Sequence, residues 1–266
     1  MDNSRAPMIS VQMYTLREYI RTREDLLATL DRLAALGLTG IQGRTPTYMS
    51  DEEFAYELAL RGLYADSVIV GLSDILTNPS YAVRLAGVFG IDVVRTDGMP
   101  PELMMNREGF VSYARRLEAA AERLGEYRIR LMYHNHHGEF TLFHDYEFGE
   151  CVSGMQILIE NTEKTLFQPD LHHMTYAGFA PEKHLSMFSR RAQYLHLQGY
   201  GIKPGFAAPF TMPVGLGTYD WQHIISTARD IGIYNFVLEQ DFTIGNPIDD
   251  IALGFKNLKK FLEAVE

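Results

Sequence analysis

Imidazole and carboxylate side chains recur in the second half of this 266-residue chain, each beside a short apolar run. The set comprises His134, His136, His137, Glu139, Asp170, His172, His173, His196 and Glu239. Carboxylate oxygens together with imidazole nitrogens suit Mn²⁺, Co²⁺, Mg²⁺ or Zn²⁺. Because Cys151 is the single cysteine, the sequence disfavours a thiolate-bound structural zinc and favours a catalytic site with open positions.

Four of these residues also have an ordinary structural interpretation. Asp170 fits a helix-capping aspartate, and His173 fits a hydrogen-bonded core histidine. His196 fits an imidazole bonded to a neighbouring strand, and Glu239 fits a salt-bridge partner of Arg95. The metal hypothesis therefore depends on the elements that position these side chains.

Eight short apolar segments rich in β-branched residues alternate with longer segments of helical spacing. The predicted strands are Ile9–Tyr14, Gly40–Gly43, Ala65–Val70, Asp92–Thr96, Ile129–Asn135, Thr165–Asp170, Gln193–Leu197 and Asn235–Glu239. The predicted helices are Arg23–Leu36, Asp51–Arg61, Asn78–Phe89, Arg107–Leu124, Phe148–Thr162, Pro181–Arg190, Trp221–Ile231 and Pro247–Glu263. Ser50 before Asp51-Glu52-Glu53 predicts a capping box.

Eight strand–helix units without a long linker predict one α/β domain over residues 1–266, a (β/α)₈ TIM barrel. A doubly wound sheet would usually carry a glycine-rich phosphate loop after its first strand. Here that strand runs into Gln12-Met13-Tyr14-Thr15-Leu16-Arg17, which contains no glycine. The barrel is therefore the preferred fold.

Alternate side chains of a barrel strand face the lumen and the surrounding helices. If the leucines and phenylalanines of strands five to eight face the helices, the polar residues of opposite parity face the lumen. These lumenal residues are Gln12, His134, His136, Gln168, Asp170, His196, Gln198, Glu239 and Asp241. They would meet near the carboxyl ends of the strands, where barrel enzymes place their chemistry.

Charge and composition favour small-molecule chemistry. The formal net charge is −10, from 24 basic and 34 acidic side chains, which disfavours nucleic-acid binding. No segment resembles a signal peptide, and no apolar run reaches the length of a membrane span, so we expect no membrane association. The single cysteine fits a cytoplasmic location, and a homo-oligomer is left open.

The ordered motifs resemble a known family. They are the Gln12–Arg17 segment, Tyr133-His134-Asn135-His136 with Glu139-Phe140, Asp170, Leu195-His196-Leu197, Gly215-Leu216-Gly217-Thr218-Tyr219-Asp220-Trp221 and Glu239-Gln240-Asp241. Together they are similar to the sugar phosphate isomerase/epimerase family of xylose-isomerase-like TIM barrels. Inosose dehydratase and tagatose epimerase-type enzymes are relatives, and endonuclease IV is a more distant one.

The resemblance implies a divalent metal held by four side chains from strands five to eight. Asp170, His196 and Glu239 match three of the ligands. For the fourth we expect Glu139, which fits the family's NHxxE run, although His134 occupies the strand position where several relatives carry a ligand glutamate. Substrate contacts are expected from His136, Gln12, Arg95, His173 and Gln198.

Several positions depart from the family pattern. Relatives usually have glutamate at Gln42, histidine at Ile69, glutamate at Leu216 and lysine at Gln198. These differences alter the polar rim of the site and therefore the choice of substrate. Arg44 and Arg95 are candidate contacts for an anionic substrate group.

The leading functional hypothesis is a metal-dependent isomerase or epimerase of a sugar, keto-sugar or cyclitol, with Glu239, Glu139 and His134 as catalytic residues. An enediolate-type proton transfer would be its central step. The alternatives are a dehydratase of an inosose-like substrate and a non-catalytic sugar-binding barrel. A nuclease like endonuclease IV is disfavoured, because all nine histidines lie at or beyond position 134.

Overall fold

Eight parallel strands form a nearly closed barrel in the computed structural model, which describes residues 7–145, 150–205, 208–243 and 245–265. The strands are β1 (Met8–Gln12), β2 (Gly40–Gly43), β3 (Tyr64–Ile69), β4 (Val93–Asp97), β5 (Arg130–His134), β6 (Leu166–Gln168), β7 (Tyr194–Leu197) and β8 (Asn235–Leu238). All eight predicted strands are confirmed, and only their ends differ. The predicted (β/α)₈ TIM barrel is therefore the fold.

The strands follow one another around the barrel in chain order, and β8 pairs with both β1 and β7. Two isolated parallel bridges, Phe167 to Ala192 and Asp170 to His196, connect the β6 and β7 segments where the ring is nearly closed. The second bridge lies where both strands end. It sets an aspartate and a histidine side by side at the carboxyl end of the barrel.

Helices connect the strands and cover the barrel. They are α1 (Arg23–Ala35), α2 (Asp51–Leu60), α3 (Leu72–Thr77), α4 (Ser80–Phe89), α5 (Arg107–Gly125), α6 (Gly154–Glu160), α7 (Leu171–Tyr176), α8 (Pro181–His184), α9 (Trp221–Asp230) and α10 (Pro247–Glu263). The predicted capping box at Ser50 is present. None of these described helices is long and apolar enough to cross a bilayer.

The helix predicted over Phe148–Thr162 was wrong in its first part. Residues 150–153 form a strand that pairs antiparallel with residues 142–145, whereas 148 and 149 lie outside the described residues. The helix begins only at Gly154, because Ser153 and Gln156 form a capping box there. Short helices α3 and α7 and a second hairpin, 199–201 with 210–212, were not predicted.

The alternation of faces along the strands divides apolar from polar side chains as expected. Leu195, Leu197, Phe236 and Leu238 pack against the helices in the main core. A second apolar cluster fills the lumen and contains Val93, Met132, Tyr194 and Val237. The next lumenal residues toward the carboxyl ends of these strands are polar. The lumen therefore contains an apolar layer and, nearer the carboxyl ends of the strands, a polar layer.

Candidate metal centre

Four ionisable side chains converge at the carboxyl ends of β5 to β8: His134, Asp170, His196 and Glu239. One potential ligand atom from each lies within 4.8 Å of the other three, and all four residues are buried. His134 ends β5, His196 lies in β7, Glu239 directly follows β8, and Asp170 lies two residues after the end of β6. Three of the four ligands predicted from the sequence are thus brought together.

Asp170 has two roles in this arrangement. Its Oδ1 accepts a hydrogen bond from the backbone N–H of His173 at 2.8 Å, so it caps α7 as the structural interpretation expected. Its Oδ2 faces the cluster, 3.6 Å from Nδ1 of His196 and 3.8 Å from Nε2 of His134. Gln198 donates to the same Oδ2 at 2.8 Å. The cap and the amide hold the carboxylate in place.

The cluster has more buried polar atoms than hydrogen bonds to satisfy them. Both ring nitrogens of His134 are buried without a hydrogen-bond partner, and Nδ1 of His196 and Oε2 of Glu239 are buried in close contact with each other. Buried polar atoms without partners cost free energy. Two imidazoles and two carboxylates are donors that a divalent cation binds in open catalytic sites. The residues therefore fit such a cation.

The pKa values of the two imidazoles in the cluster shift in opposite directions. Burial opposes a charge on His196, but the carboxylates of Glu239 and Asp170 outweigh it and raise the pKa of His196 to about 9. For His134, burial and the adjacent His196 hold the pKa well below its ordinary value. Burial alone would raise the pKa of Asp170, yet the surrounding histidines lower it well below the ordinary range. Asp170 is thus held as a carboxylate.

Glu139, the expected first ligand, lies outside the cluster in the structure. Glu139 lies in a 3₁₀ turn after β5, where it is fully buried on the helix-facing side. Its carboxylate accepts hydrogen bonds from the Tyr133 hydroxyl and, at 3.0 Å, from the backbone N–H of His136. His134 instead occupies the fourth corner of the cluster.

Arg95 is not the salt-bridge partner of Glu239 that the structural interpretation proposed. Its Nη1 donates to Oε1 of Gln42 at 2.7 Å and of Gln168 at 3.3 Å, and it lies 3.2 Å from Nε2 of His196. Its Nη2 approaches Asp97 at 3.4 Å. The guanidinium is buried and supports the cluster from β4.

A cavity of about 390 Å³ opens beside the cluster. Its walls are formed by Gln12, Tyr14, Ile69, Arg95, Asp97, His134, His136, His173, Glu239, Asp241 and Phe242. Of the predicted substrate contacts, Gln12, Arg95, His136 and His173 line it, whereas Gln198 lies behind Asp170. Burial and the charge of Glu239 raise the pKa of Asp241 to about 7.

The sequence interpretation missed Asp97 and assigned no role to Asp241. Both line the cavity, and Asp241 lies 3.8 Å from Nε2 of His173. Both residues could have been assigned to the lumen from the sequence, because alternate residues of a strand face the same side. Asp97 lies two residues after Arg95, and Asp241 lies two residues after Glu239.

The sequence model of xylose isomerase-like TIM barrels matches residues 30–261. The chain belongs to this family. The predicted resemblance is therefore confirmed. No curated protein matches the chain in sequence.

Solved structures share the fold of this xylose isomerase-like barrel. A sugar phosphate isomerase/epimerase from Parabacteroides distasonis ATCC 8503 is 16% identical, with a TM-score of 0.79 over 97% of this chain and 96% of that one. The IOLI protein with a bound zinc atom is 14% identical, with a TM-score of 0.75 over 97% and 99%. An L-ribulose 3-epimerase is 13% identical, with a TM-score of 0.70 over 98% and 96%. At these identities the likeness establishes the fold alone.

The family departures have distinct places in this xylose isomerase-like barrel. Gln42 lies beneath His196 in the lumen, and Ile69 lines the cavity. Gln198 binds both Asp170 and the backbone N–H of Asp241. Leu216 is partly exposed, and its backbone carbonyl accepts a hydrogen bond from the Trp221 indole. The first three therefore affect the site directly.

Proposed function

We propose that the protein is a metal-dependent isomerase or epimerase of a sugar, keto-sugar or cyclitol. The observation that carries the proposal is the buried cluster of two imidazoles and two carboxylates, with both ring nitrogens of His134 unpaired, beside a cavity of about 390 Å³. Membership of the xylose isomerase-like family and the isomerase or epimerase activity named for two structurally similar proteins support it. We also propose that the chain works as one domain, in the cytoplasm, on a small-molecule substrate.

The residues that would hold the metal are His134, Asp170, His196 and Glu239. Two nitrogen donors fit Zn²⁺, Co²⁺ or Mn²⁺ better than Mg²⁺, and the IOLI structure contains zinc. A bound divalent cation supplies Lewis acidity that polarises a carbonyl and its neighbouring hydroxyl. None of these four side chains is a cysteine thiolate.

The chain's own residues then bind and deprotonate the substrate. Glu239 is the carboxylate that both lies in the cluster and lines the cavity, so we assign it the proton transfer at the carbon next to the carbonyl. His136, His173 and Gln12 line the same cavity and can hold substrate hydroxyls. Arg95 supplies positive charge from the cavity wall, where negative charge develops on the substrate oxygen.

A metal analysis of the purified protein is the first test, with Asp170→Ala and His196→Ala prepared in parallel. We expect one divalent ion per chain after Mn²⁺, Co²⁺ or Zn²⁺ is supplied, and loss of that ion in both variants. Absence of any stoichiometric ion in the wild-type protein would refute the proposal.

A panel of ketoses and inososes in D₂O then tests the reaction. The proposal expects an isomerised or epimerised product with deuterium at a carbon next to the carbonyl. A product that has lost water would instead identify a dehydratase, which begins with the same proton removal. Binding of a sugar without turnover, in the metal-loaded protein, would point to the non-catalytic barrel.

A further inference from the structure

Gln42 in β2 lies directly behind the metal-facing imidazole of His196. The two side chains come from strands that are far apart in sequence but face each other across the lumen, and both are fully buried. Oε1 of Gln42 lies 2.5 Å from Nε2 of His196. The opposite nitrogen of the same ring, Nδ1, faces Asp170 and Glu239.

Neighbouring groups fix which end of the Gln42 amide faces His196. Its NH₂ group donates to Oδ1 of Asp66 at 3.0 Å, and that oxygen also accepts from the Ser67 hydroxyl. Its carbonyl oxygen accepts from Nη1 of Arg95 at 2.7 Å and from Nε2 of Gln12 at 3.2 Å. If the amide were flipped, its NH₂ group would face the donors of Arg95 and Gln12, and its oxygen would face the carboxylate of Asp66. The atom that meets His196 is therefore an acceptor.

Nε2 of His196 has two neighbours with opposite requirements. The carbonyl oxygen of Gln42, at 2.5 Å, requires a proton on Nε2, whereas Nη1 of Arg95, at 3.2 Å, could only donate to a lone pair there. The contact with Gln42 is the shorter one, and Nη1 of Arg95 already donates to Gln42. A proton on Nε2 satisfies all three groups, so Nδ1, which is in close contact with Glu239, is the ring nitrogen that faces the cluster.

We infer that Gln42 is a positioning residue that holds His196 as the Nε2–H tautomer, so that Nδ1 is free to bind the metal. The inference rests on the metal site of the proposed function. Without the Gln42 oxygen, Arg95 could donate to a lone pair on Nε2, and the neutral ring would then carry its single proton on Nδ1, facing Glu239. Such a ring cannot bind a metal through Nδ1 until that proton is lost.

Zinc affinity measured by competition with a chromogenic chelator tests this role in three variants. Gln42→Leu removes the acceptor, and we expect it to weaken zinc binding by about 10–100-fold, the usual effect of losing a partner of a metal-bound histidine. Gln42→Glu keeps an acceptor opposite Nε2 and should recover most of that loss. Gln168→Leu is the matched control, because Gln168 is also a buried lumenal glutamine that contacts Arg95 but makes no hydrogen bond to His196. It should bind zinc as the wild type does.

A second measurement uses the wild-type protein and does not depend on how the variants fold. Histidine-selective ¹⁵N labelling, with His196 assigned by loss of its signals in His196→Gln, reports the protonation of each ring nitrogen in the zinc-loaded protein. We expect a proton on Nε2 and none on Nδ1. Zinc on Nε2, or wild-type affinity in a folded Gln42→Leu, would overturn the inference while leaving the proposed metal site intact. A wild-type protein that binds no zinc, Mn²⁺ or Co²⁺ would overturn both.

Discussion

The hydroxyl of Tyr133 donates a hydrogen bond to the carboxylate of Glu139 on the helix-facing side of β5, while the next residue, His134, faces the lumen. We therefore expect Glu139→Gln to keep its metal and to lose about 1–3 kcal/mol of stability, since a buried charge-assisted bond is weakened. His134→Gln should show the opposite result, with reduced metal content in a folded protein. Metal analysis and thermal unfolding of both variants distinguish a ligand set that contains His134 from one that contains Glu139. A metal-free Glu139→Gln would contradict the assignment of His134 as the ligand.

Metal binding should stabilise the fold, because the ligands come from four different strand ends. At a metal concentration 100 times the dissociation constant, linkage predicts about 2.7 kcal/mol of added stability, or roughly 5–10 °C in Tm. Asp170→Asn keeps an oxygen to cap α7 but loses the ligand charge, and it should show little of this shift. An equal shift in this variant would mean that the ion binds elsewhere.

Asp66 should make stability depend on pH. Burial raises the pKa of its carboxyl, and its Oδ2 has no hydrogen-bond partner. Because the folded pKa lies above the unfolded value, the contribution of this group to stability is full below about pH 4 and declines as the pH rises toward the folded pKa. Asp66→Asn resembles the protonated form and should gain about 1–3 kcal/mol at pH 8, with the gain disappearing near pH 4.

Thermal unfolding of Asp66→Asn across that pH range provides the check. Asp74→Asn, at an exposed position on α3, is the matched control and should follow the wild-type curve. A gain from Asp66→Asn that is equal at pH 4 and pH 8 would contradict the raised pKa.

Arg17 connects two segments that line the cavity. It donates to the backbone carbonyls of Tyr14 and Asp241, each at 2.7 Å, and its guanidinium lies 4.2 Å from the centre of the Tyr14 ring. Arg17→Ala should therefore speed amide hydrogen exchange near Tyr14 and Asp241 with little change in global stability. Arg21→Ala, which breaks an exposed pair with Glu18 on the same segment, should leave exchange at Asp241 unchanged.

Strand periodicity accounts for what could be predicted of the fold and the site. A period of two assigned Asp170, His196 and Glu239 to the lumen, and the parallel barrel brought their strand ends together. The position of Glu139 could not be read in this way. It follows the strand in a 3₁₀ turn, where motif spacing carries no information about the direction of a side chain.

Local sequence patterns also could not predict the contacts between distant strands. The amide of Gln42 meets a histidine 154 residues further along the chain, and its orientation depends on Asp66 of a third strand. The strand over residues 150–153 was mistaken for part of a helix because apolar spacing in a short hairpin resembles the start of α6. Tertiary pairing decides such cases.

The opposite orientation of Tyr133 and His134 has a consequence for metal preference. Because the outward residue packs against the helices and the inward one faces the cluster, the donor at this corner can change while the core stays the same. A single exchange of His134 for glutamate would turn a site with two nitrogen and two oxygen donors into one with three oxygens. Harder ions such as Mg²⁺ and Mn²⁺ would then gain relative to zinc. In the proposed metal site, ion selectivity would thus depend on this lumenal position and not on the packing that makes the protein stable.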